Sequence, residues 1–343
     1  MGRSRSSRPR QADIAREAGV SQATVSLVMN GKPEAVGIAP ETVRRVREAA
    51  ERLSYVANPA AVRLVGKRNR LLGVYTFAAT FPVDVRDSYY PFLAGVEERA
   101  AGRGYDLLMF TASSGAHADA LARVRLADGC VLFGREASIA MIERLLDDGF
   151  PIVYIGRRDE LGDRIPYVGA DYARASAEVV RRLAALGHER IAYLREPGDQ
   201  PSTEDRARGV RAAGVPGVRV RAGGRVDSGW VRAQHAEGVT AFVAETVELH
   251  ASLTGALADA GLRHPRDVSV AMLGDDVAPA PGAPVVSGFA LPRREMGRQA
   301  ADLLIDMLDE RPGQGPRQRL LTCPPVAGET AGPARRAPLE GPE

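Results

Sequence analysis

The sequence predicts two unlike pieces in one chain: a small all-α helix-turn-helix domain, then a larger α/β core with parallel sheets. Three observations carry this. Between residues 11 and 53 the apolar residues recur at spacings of three and four around a glycine turn. From Leu71 onward, short apolar runs of strand length alternate with amphipathic segments. The charge also divides. Residues 1 to 70 hold 14 Lys+Arg against 6 Asp+Glu, a balance of +8, and the rest hold 32 against 37, a balance of −5.

The head begins with Asp13-Ile14-Ala15-Arg16-Glu17-Ala18, where Ile14, Ala15 and Ala18 share one helical face. Gly19 ends this helix, Val20 fills the turn, and Ser21 is placed to cap a second one. There Val25, Val28 and Met29 form the apolar stripe, and Gln22, Ala23, Ser26 and Leu27 point outward. A third helix starts at Pro40, where a missing N–H costs nothing, and Val43, Val46, Ala50 and Leu53 close a three-helix core. Two short helices joined by a glycine turn offer the N-terminal half of the second to a DNA major groove. The basic balance of the head supplies the phosphate neutralisation that such binding needs, which a protein-binding module would not require.

Residues 1–10, with Arg3, Arg5, Arg8 and Arg10, read as a basic disordered arm suited to phosphates or a minor groove. No apolar stretch follows it, so a secretory signal is not expected. Ala60 to Val65, bounded by Pro59 and Gly66, is too short for a stable isolated helix. It is therefore a candidate switch, coil when free and helix when held.

In the body, Leu71–Phe77 is a strand, Pro91–Ala100 a helix, Tyr105–Phe110 and Val131–Phe133 strands, Ser138–Asp148 a helix, Ile152–Ile155 a strand, Ser176–Leu186 a helix and Ile191–Leu194 a strand. Buried runs alternating with helices build βαβ units. No GxGxxG or GxxxxGK[ST] loop follows any of these strands, which argues against a nucleotide enzyme. At 343 residues the chain has room for two or three domains, and with 45% apolar and 26% charged residues it reads as globular. No run of eighteen apolar residues is available to span a membrane. Cys130, within an apolar run, reads as an inert core residue, and Cys323 lies far from it. Neither disulfide, metal nor other cofactor is implied, and a cytoplasmic, nucleoid-associated protein is expected.

The ordered set Asp13-Ile14-Ala15, Ala18-Gly19-Val20-Ser21, Thr24-Val25-Ser26, Asn30-Gly31, Leu53-x-Tyr55 and Asn58-Pro59-x-Ala61-x-x-Leu64-x-Gly66 resembles the DNA-binding domain of the LacI family of bacterial transcription regulators. The body resembles that family's effector-binding core, a two-lobed fold shared with periplasmic sugar-binding proteins. Tyr90-Pro91-Phe92-Leu93-x-Gly95-Val96-Glu97, Asp128-Gly129-x-Val131-Leu132, Leu186-Gly187-His188-x-Arg190-Ile191-Ala192, Asp267-Val268-Ser269-Val270 and Glu295-Met296-Gly297-x-Gln299-Ala300 carry this likeness, which reaches about residue 330.

The resemblance implies a helix-turn-helix domain over 11–57, a hinge over 58–70, a two-lobed effector-binding and dimerisation core over 71–330 and a disordered tail over 331–343. It also implies a homodimeric repressor on near-palindromic double-stranded operator DNA, controlled by a sugar-like small molecule. The hinge would become helical on DNA, with Leu64 wedged into the minor groove beside Ala61. Gln22 suits a bidentate contact to adenine, and Ala23 and Leu27 suit apolar contact with thymine methyls. Ser21, Thr24, Ser26, Asn30, Tyr55 and Asn58 suit phosphates. For the effector, Arg206 in Arg206-x-x-Gly209, Arg157, Asp171, Tyr89, Tyr90 and Asp275 are the candidates. Arg157 with Asp171 also reads as a plain surface ion pair, and His188 as a packing residue rather than a catalyst.

The chain departs from the family pattern in its second half. Thr246-Val247 stands where an Asn-Asp pair is usual, Gly274-Asp275 stands for Asp-Asp, and the helix near Trp230–Glu237 looks truncated. A sugar held by carboxylates and amides would lose partners there. The competing reading therefore keeps the DNA role with a degenerate cleft, ligand-independent or controlled by a partner protein. A solute-binding protein is disfavoured by the basic head. An enzyme is disfavoured because no nucleophile–base set or metal cluster is present and paired carboxylates are not expected in the cleft.

Overall fold

A computed structural model describes residues 9–29, 37–55, 68–77, 89–111, 117–134, 137–223, 226–276, 279, 281–309 and 316–335. The chain divides into two compact units, residues 1–69 and 70–343.

The head holds α1 (Gln11–Ala18), α2 (Gln22–Met29) and α3 (Pro40–Arg52). Ile14, Ala18, Val25, Val28, Val46, Ala49 and Ala50 form its core, with Val20, Met29, Val43, Leu53 and Tyr55 packed against it. Gly19 turns the chain between α1 and α2 at φ 64°, a conformation that favours a residue without Cβ.

The body begins with β1 (Leu71–Thr76), α4 (Tyr90–Gly102), β2 (Asp106–Thr111), α5 (His117–Val124), β3 (Gly129–Phe133), α6 (Ile139–Asp147), β4 (Ile152–Ile155) and β5 (Tyr167–Ala170). There follow α7 (Tyr172–Ala185), β6 (Ile191–Arg195), α8 (Pro201–Ala212), β7 (Val218–Ala222), α9 (Ser228–Ala236), β8 (Ala241–Ala244), α10 (Val247–Ala260), β9 (Ser269–Met272) and β10 (Ser287–Phe289). The last elements are α11 (Arg293–Leu308), β11 (Gln318–Leu321) and β12 (Pro325–Val326).

Two six-stranded sheets result, in the orders β11-β5-β4-β3-β1-β2 and β12-β10-β9-β8-β6-β7. Among the described residues all pairings are parallel except that of β10 with β12. Central strands such as β3, β4 and β8 are buried along their whole length because helices cover both faces, which explains their uninterrupted apolar sequences. Each sheet is the centre of one lobe. The chain crosses between lobes after β5, between β10 and α11, and between β11 and β12.

In the first lobe α4 and α11 cross so closely that a Cβ on Gly95 would overlap the Arg294 carbonyl, and one on Gly297 the Phe92 carbonyl. Flanking ion pairs tie the helices further: Glu98 accepts from Arg294 and Arg298, and Arg103 reaches Asp302, Asp306 and Asp309.

Several expectations change in detail. The helix expected from Ser176 starts four residues earlier, at Tyr172, because the Asp171 carboxylate caps it by accepting the Arg174 N–H at 3.0 Å. The short helix expected near Trp230 is α9, nine residues long, capped by Asp227. Beyond residue 331, where a disordered end is expected, Gly332 and Ala334 make defined hydrogen bonds to Ser269 and Leu186. No helix among the described residues is long and apolar enough to cross a membrane.

Candidate nucleic-acid interface and interlobe cleft

The start of α2 is shaped by its cap. Ser21 Oγ accepts the Thr24 N–H at 3.0 Å and lies 2.9 Å from the Thr24 hydroxyl. Val25 and Val28 turn into the core, while Ser21, Gln22 and Ala23 are exposed and Thr24, Ser26 and Leu27 are half-buried. The six residues therefore share one end and the outer face of α2, the surface that a recognition helix presents to base edges. Tyr55, expected at phosphates, follows α3 and packs partly on the head core. Arg52 donates to Glu17 at 2.9 Å and fastens α3 to α1. Asn30, Asn58, Ala61 and Leu64 lie outside the described residues.

In the body, a cleft between the lobes encloses a cavity of about 210 Å³. Tyr89, Phe92, Phe133 and Tyr154 supply an aromatic wall from the first lobe, with Tyr89 and Phe133 ring centroids 5.1 Å apart. Opposite them stands Arg206, 8% exposed, its guanidinium 4.0 Å from the Tyr172 ring centre. Arg206 Nε donates to the Leu273 carbonyl at 2.7 Å. These contacts fix the guanidinium plane and leave little rotamer freedom to lose on binding.

Of the sequence candidates, the cleft brings together Tyr89, Arg157, Arg206 and Asp275. Two depart from expectation. Tyr90, expected at the effector, is the first residue of α4, is 71% exposed, and does not line the cleft. Asp171 caps α7 and borders a separate cavity at the lobe crossings, with Cys323 beside it. Nor do Arg157 and Asp171 form a surface ion pair. Arg157 Nε meets Asp205 at 2.7 Å, and Asp275 meets Arg293 at 2.7 Å.

The sequence reading missed Asp205 and Glu245, both 2% exposed. Glu245 follows β8, one position before Thr246, which instead caps α10. Its carboxylate accepts from the Thr203 hydroxyl (2.6 Å), the Tyr193 hydroxyl (3.1 Å) and the Glu196 N–H (3.0 Å), and lies 3.6 Å from Arg206. The cleft therefore has carboxylates after all, and three of them, Asp205, Glu245 and Asp275, are already engaged with an arginine. A charged residue closing the fully apolar run Ala241-Phe242-Val243-Ala244 was the available signal, since an acid in that place must be paired.

His188 is 2% exposed, between Thr240, Ser269 and Gly332. The Gly332 carbonyl can only accept, so Nε2 carries the proton and Nδ1 accepts from Thr240. Burial holds this imidazole below the usual histidine range, in keeping with a neutral packing role. Burial also raises the thiols, Cys323 to about 12, so both cysteines are unreactive in this setting. No group of three or more His, Cys, Asp and Glu among the described residues could hold a metal ion.

Residues 12–58 match the family described as bacterial regulatory proteins, lacI family. Residues 81–246 match the periplasmic binding proteins and sugar binding domain of LacI family, and residues 180–331 a periplasmic binding protein-like domain. The HTH-type transcriptional regulator CelR of Thermobifida fusca is 28% identical over 318 residues, covering 88% of this chain and 92% of that one. The maltose regulon regulatory protein MalI of Escherichia coli (strain K12) is 31% identical over 248 residues, 67% of each. Among solved structures, the CelR–cellobiose complex superposes with a TM-score of 0.65 at 25% identity, over 94% of this chain and all of the other. The Lac repressor dimer bound to operator and the anti-inducer ONPF shares the fold, with a TM-score of 0.73 at 22% identity over 95% of this chain and all of that one. These relatives are transcription regulators rather than enzymes. The chain belongs to the LacI family of bacterial transcription regulators, with a DNA-binding helix-turn-helix head and a periplasmic-binding-protein-like core.

Proposed function

We propose that this chain is a homodimeric repressor that reads a near-palindromic operator, one α2 helix to each half-site. The exposed start of α2 carries the reading: Gln22 and Ala23 stand clear of the head core at the end capped by Ser21. Gln22 takes a base-edge hydrogen bond to adenine, Ala23 and Leu27 make apolar contacts, and Ser21, Thr24, Ser26, Asn30, Tyr55 and Asn58 hold phosphates. Ala61 and Leu64 act in the hinge, with Leu64 as a minor-groove wedge. A Lac repressor dimer seen on its operator is the nearest support for the dimer and the half-sites.

The cleft takes a small neutral effector. The aromatic wall and Arg206 favour a sugar-like molecule, and the relative seen with cellobiose supports that class. A second reading, DNA binding without an effector, is favoured by the internal pairing of Arg157, Arg206 and Arg293 with Asp205, Glu245 and Asp275. The test is affinity for genomic fragments flanking the gene, with and without neutral sugars and nucleosides, at fixed salt. A tenfold shift, about 1.4 kcal/mol of coupling, identifies an effector. Specific binding that no compound changes favours the second reading, and binding no better than to random DNA overturns both.

A further inference from the structure

Arg157 and Asp205 belong to different lobes. Arg157 follows β4 of the first sheet, whereas Asp205 sits on α8, which leads out of β6 of the second. Their side chains are 15% and 3% exposed, and Arg157 also reaches the Pro201 carbonyl at 3.5 Å. Each has a further partner on its own side: Arg157 pairs with Asp159, and Asp205 with Arg208 on the same helix. In this row of four charges only the central link spans the two lobes. Of the neighbouring cleft pairs, Arg206 and Glu245 both lie in the second lobe, whereas Arg293 of α11 and Asp275 after β9 also join the lobes, but at the β10–α11 crossing, where the chain itself already connects them.

A two-lobed receptor closes when something with affinity for both walls occupies the space between them, because only a contact made in the closed state alone shifts the equilibrium. Here two side chains of the chain make such a contact. Asp205 lies out of water, so salt screens the contact poorly. We propose that Arg157 and Asp205 form an interlobe latch that holds the lobes closed while the cleft is empty. Closure then needs no ligand, and a small molecule regulates by displacing or reinforcing the latch. The latch itself is independent of the DNA-binding reading; only its effect on operator affinity rests on that reading.

The experiment is a spin-label distance measurement between Leu126→Cys in the first lobe and Val220→Cys in the second, at side chains 52% and 57% exposed. Cys130 and Cys323 are buried and stay unlabelled, and labelled chain is diluted into unlabelled chain so that distances within one chain dominate. The unsubstituted pair should give a narrow, short distribution without any ligand, little changed between low and high salt. Asp205→Asn and Arg157→Gln should both lengthen and broaden it. Arg157→Lys, which keeps the charge, and Arg208→Gln, which removes only the intrahelical partner, should stay near the parent. A broad or long distribution in the unsubstituted chain, or single variants that match it, would overturn the latch. Should the single variants fail to fold, the unsubstituted chain with its salt series decides alone. Loss of specific DNA binding by the unsubstituted chain would count against the repressor reading and leave the distance result standing.

Discussion

Glu245 and Arg206 stand 3.6 Å apart under the cleft, both nearly closed to solvent, and Glu245 takes three further hydrogen bonds from Tyr193, Thr203 and the Glu196 backbone. A carboxylate so surrounded is an organising centre, because each of its partners was desolvated on the expectation of an acceptor. Glu245→Ala takes the acceptor from the Tyr193 and Thr203 hydroxyls and the Glu196 N–H, and the counter-charge from the Arg206 guanidinium. Loss of one member of a buried pair costs about 3–5 kcal/mol, so the denaturant midpoint should fall by that equivalent with an unchanged slope. Glu245→Gln retains one acceptor oxygen and should fall less. A midpoint for Glu245→Ala within experimental error of the parent would show that Arg206 is held without it.

The α4–α11 crossing makes a second prediction through glycine. Gly297→Ala places a methyl against the Phe92 carbonyl, and the two helices must separate along a contact that also carries the Glu98 and Arg103 ion pairs. Overpacking against backbone costs about 1–3 kcal/mol or more, and the thermal midpoint should drop accordingly. Gly255, inside α10, is the opposite case: nothing lies within 4 Å of its added Cβ and the position is exposed. Gly255→Ala should stabilise the chain by about 0.5–1 kcal/mol by removing unfolded-state freedom. Calorimetry on the two variants side by side checks both signs.

The strands of the body were legible because burial on both faces leaves an uninterrupted apolar run, as in Cys130–Phe133 or Ala241–Ala244. The head was legible because its helical period, Gly19 turn and Ser21 cap are local. The partners of charged side chains were not. Arg157 meets an acid 48 positions away rather than Asp171, and Asp171 satisfies its own helix instead. Whether an acid after a strand faces the cleft or a cap depends on tertiary placement that spacing does not encode. Tyr90 illustrates the same limit, since one residue of helical rotation separates it from Tyr89 and sends it to the surface.

Acidification should weaken the body through its histidines. Burial lowers the pKa of His188, His250 and His264, with His264 adding to the shift at His250. Groups depressed in the folded state bind more protons when unfolded, so stability is full above the unfolded value near 6.5 and is lost as pH falls through the window below it. The thermal midpoint should therefore decline from pH 7.5 to pH 5.5, in about the range where free imidazole charges. Replacing His188 by Gln keeps polar partners for Thr240 and Gly332 and removes one proton-binding site, so the slope over that range should become shallower. An unchanged slope would mean that His188 is not part of the acid response.

The recognition surface yields the sharpest test of the head. Gln22 is exposed at the start of α2 and holds no role in the core formed by Val25 and Val28, so its truncation should leave folding intact. Gln22→Ala should cost about 1–3 kcal/mol on the cognate operator while binding to random DNA stays close to the parent, because a base-edge contact carries discrimination and phosphate contacts carry bulk affinity. Ser21→Ala behaves differently. It removes the cap to Thr24 together with the hydroxyl proposed to hold a phosphate, so it should lower head stability by about 1 kcal/mol and weaken binding to all sequences alike. Titrations of both variants on operator and random duplex at two salt concentrations separate the roles. Equal losses on both duplexes for Gln22→Ala would move the base-reading role away from this residue to its neighbours on the same face.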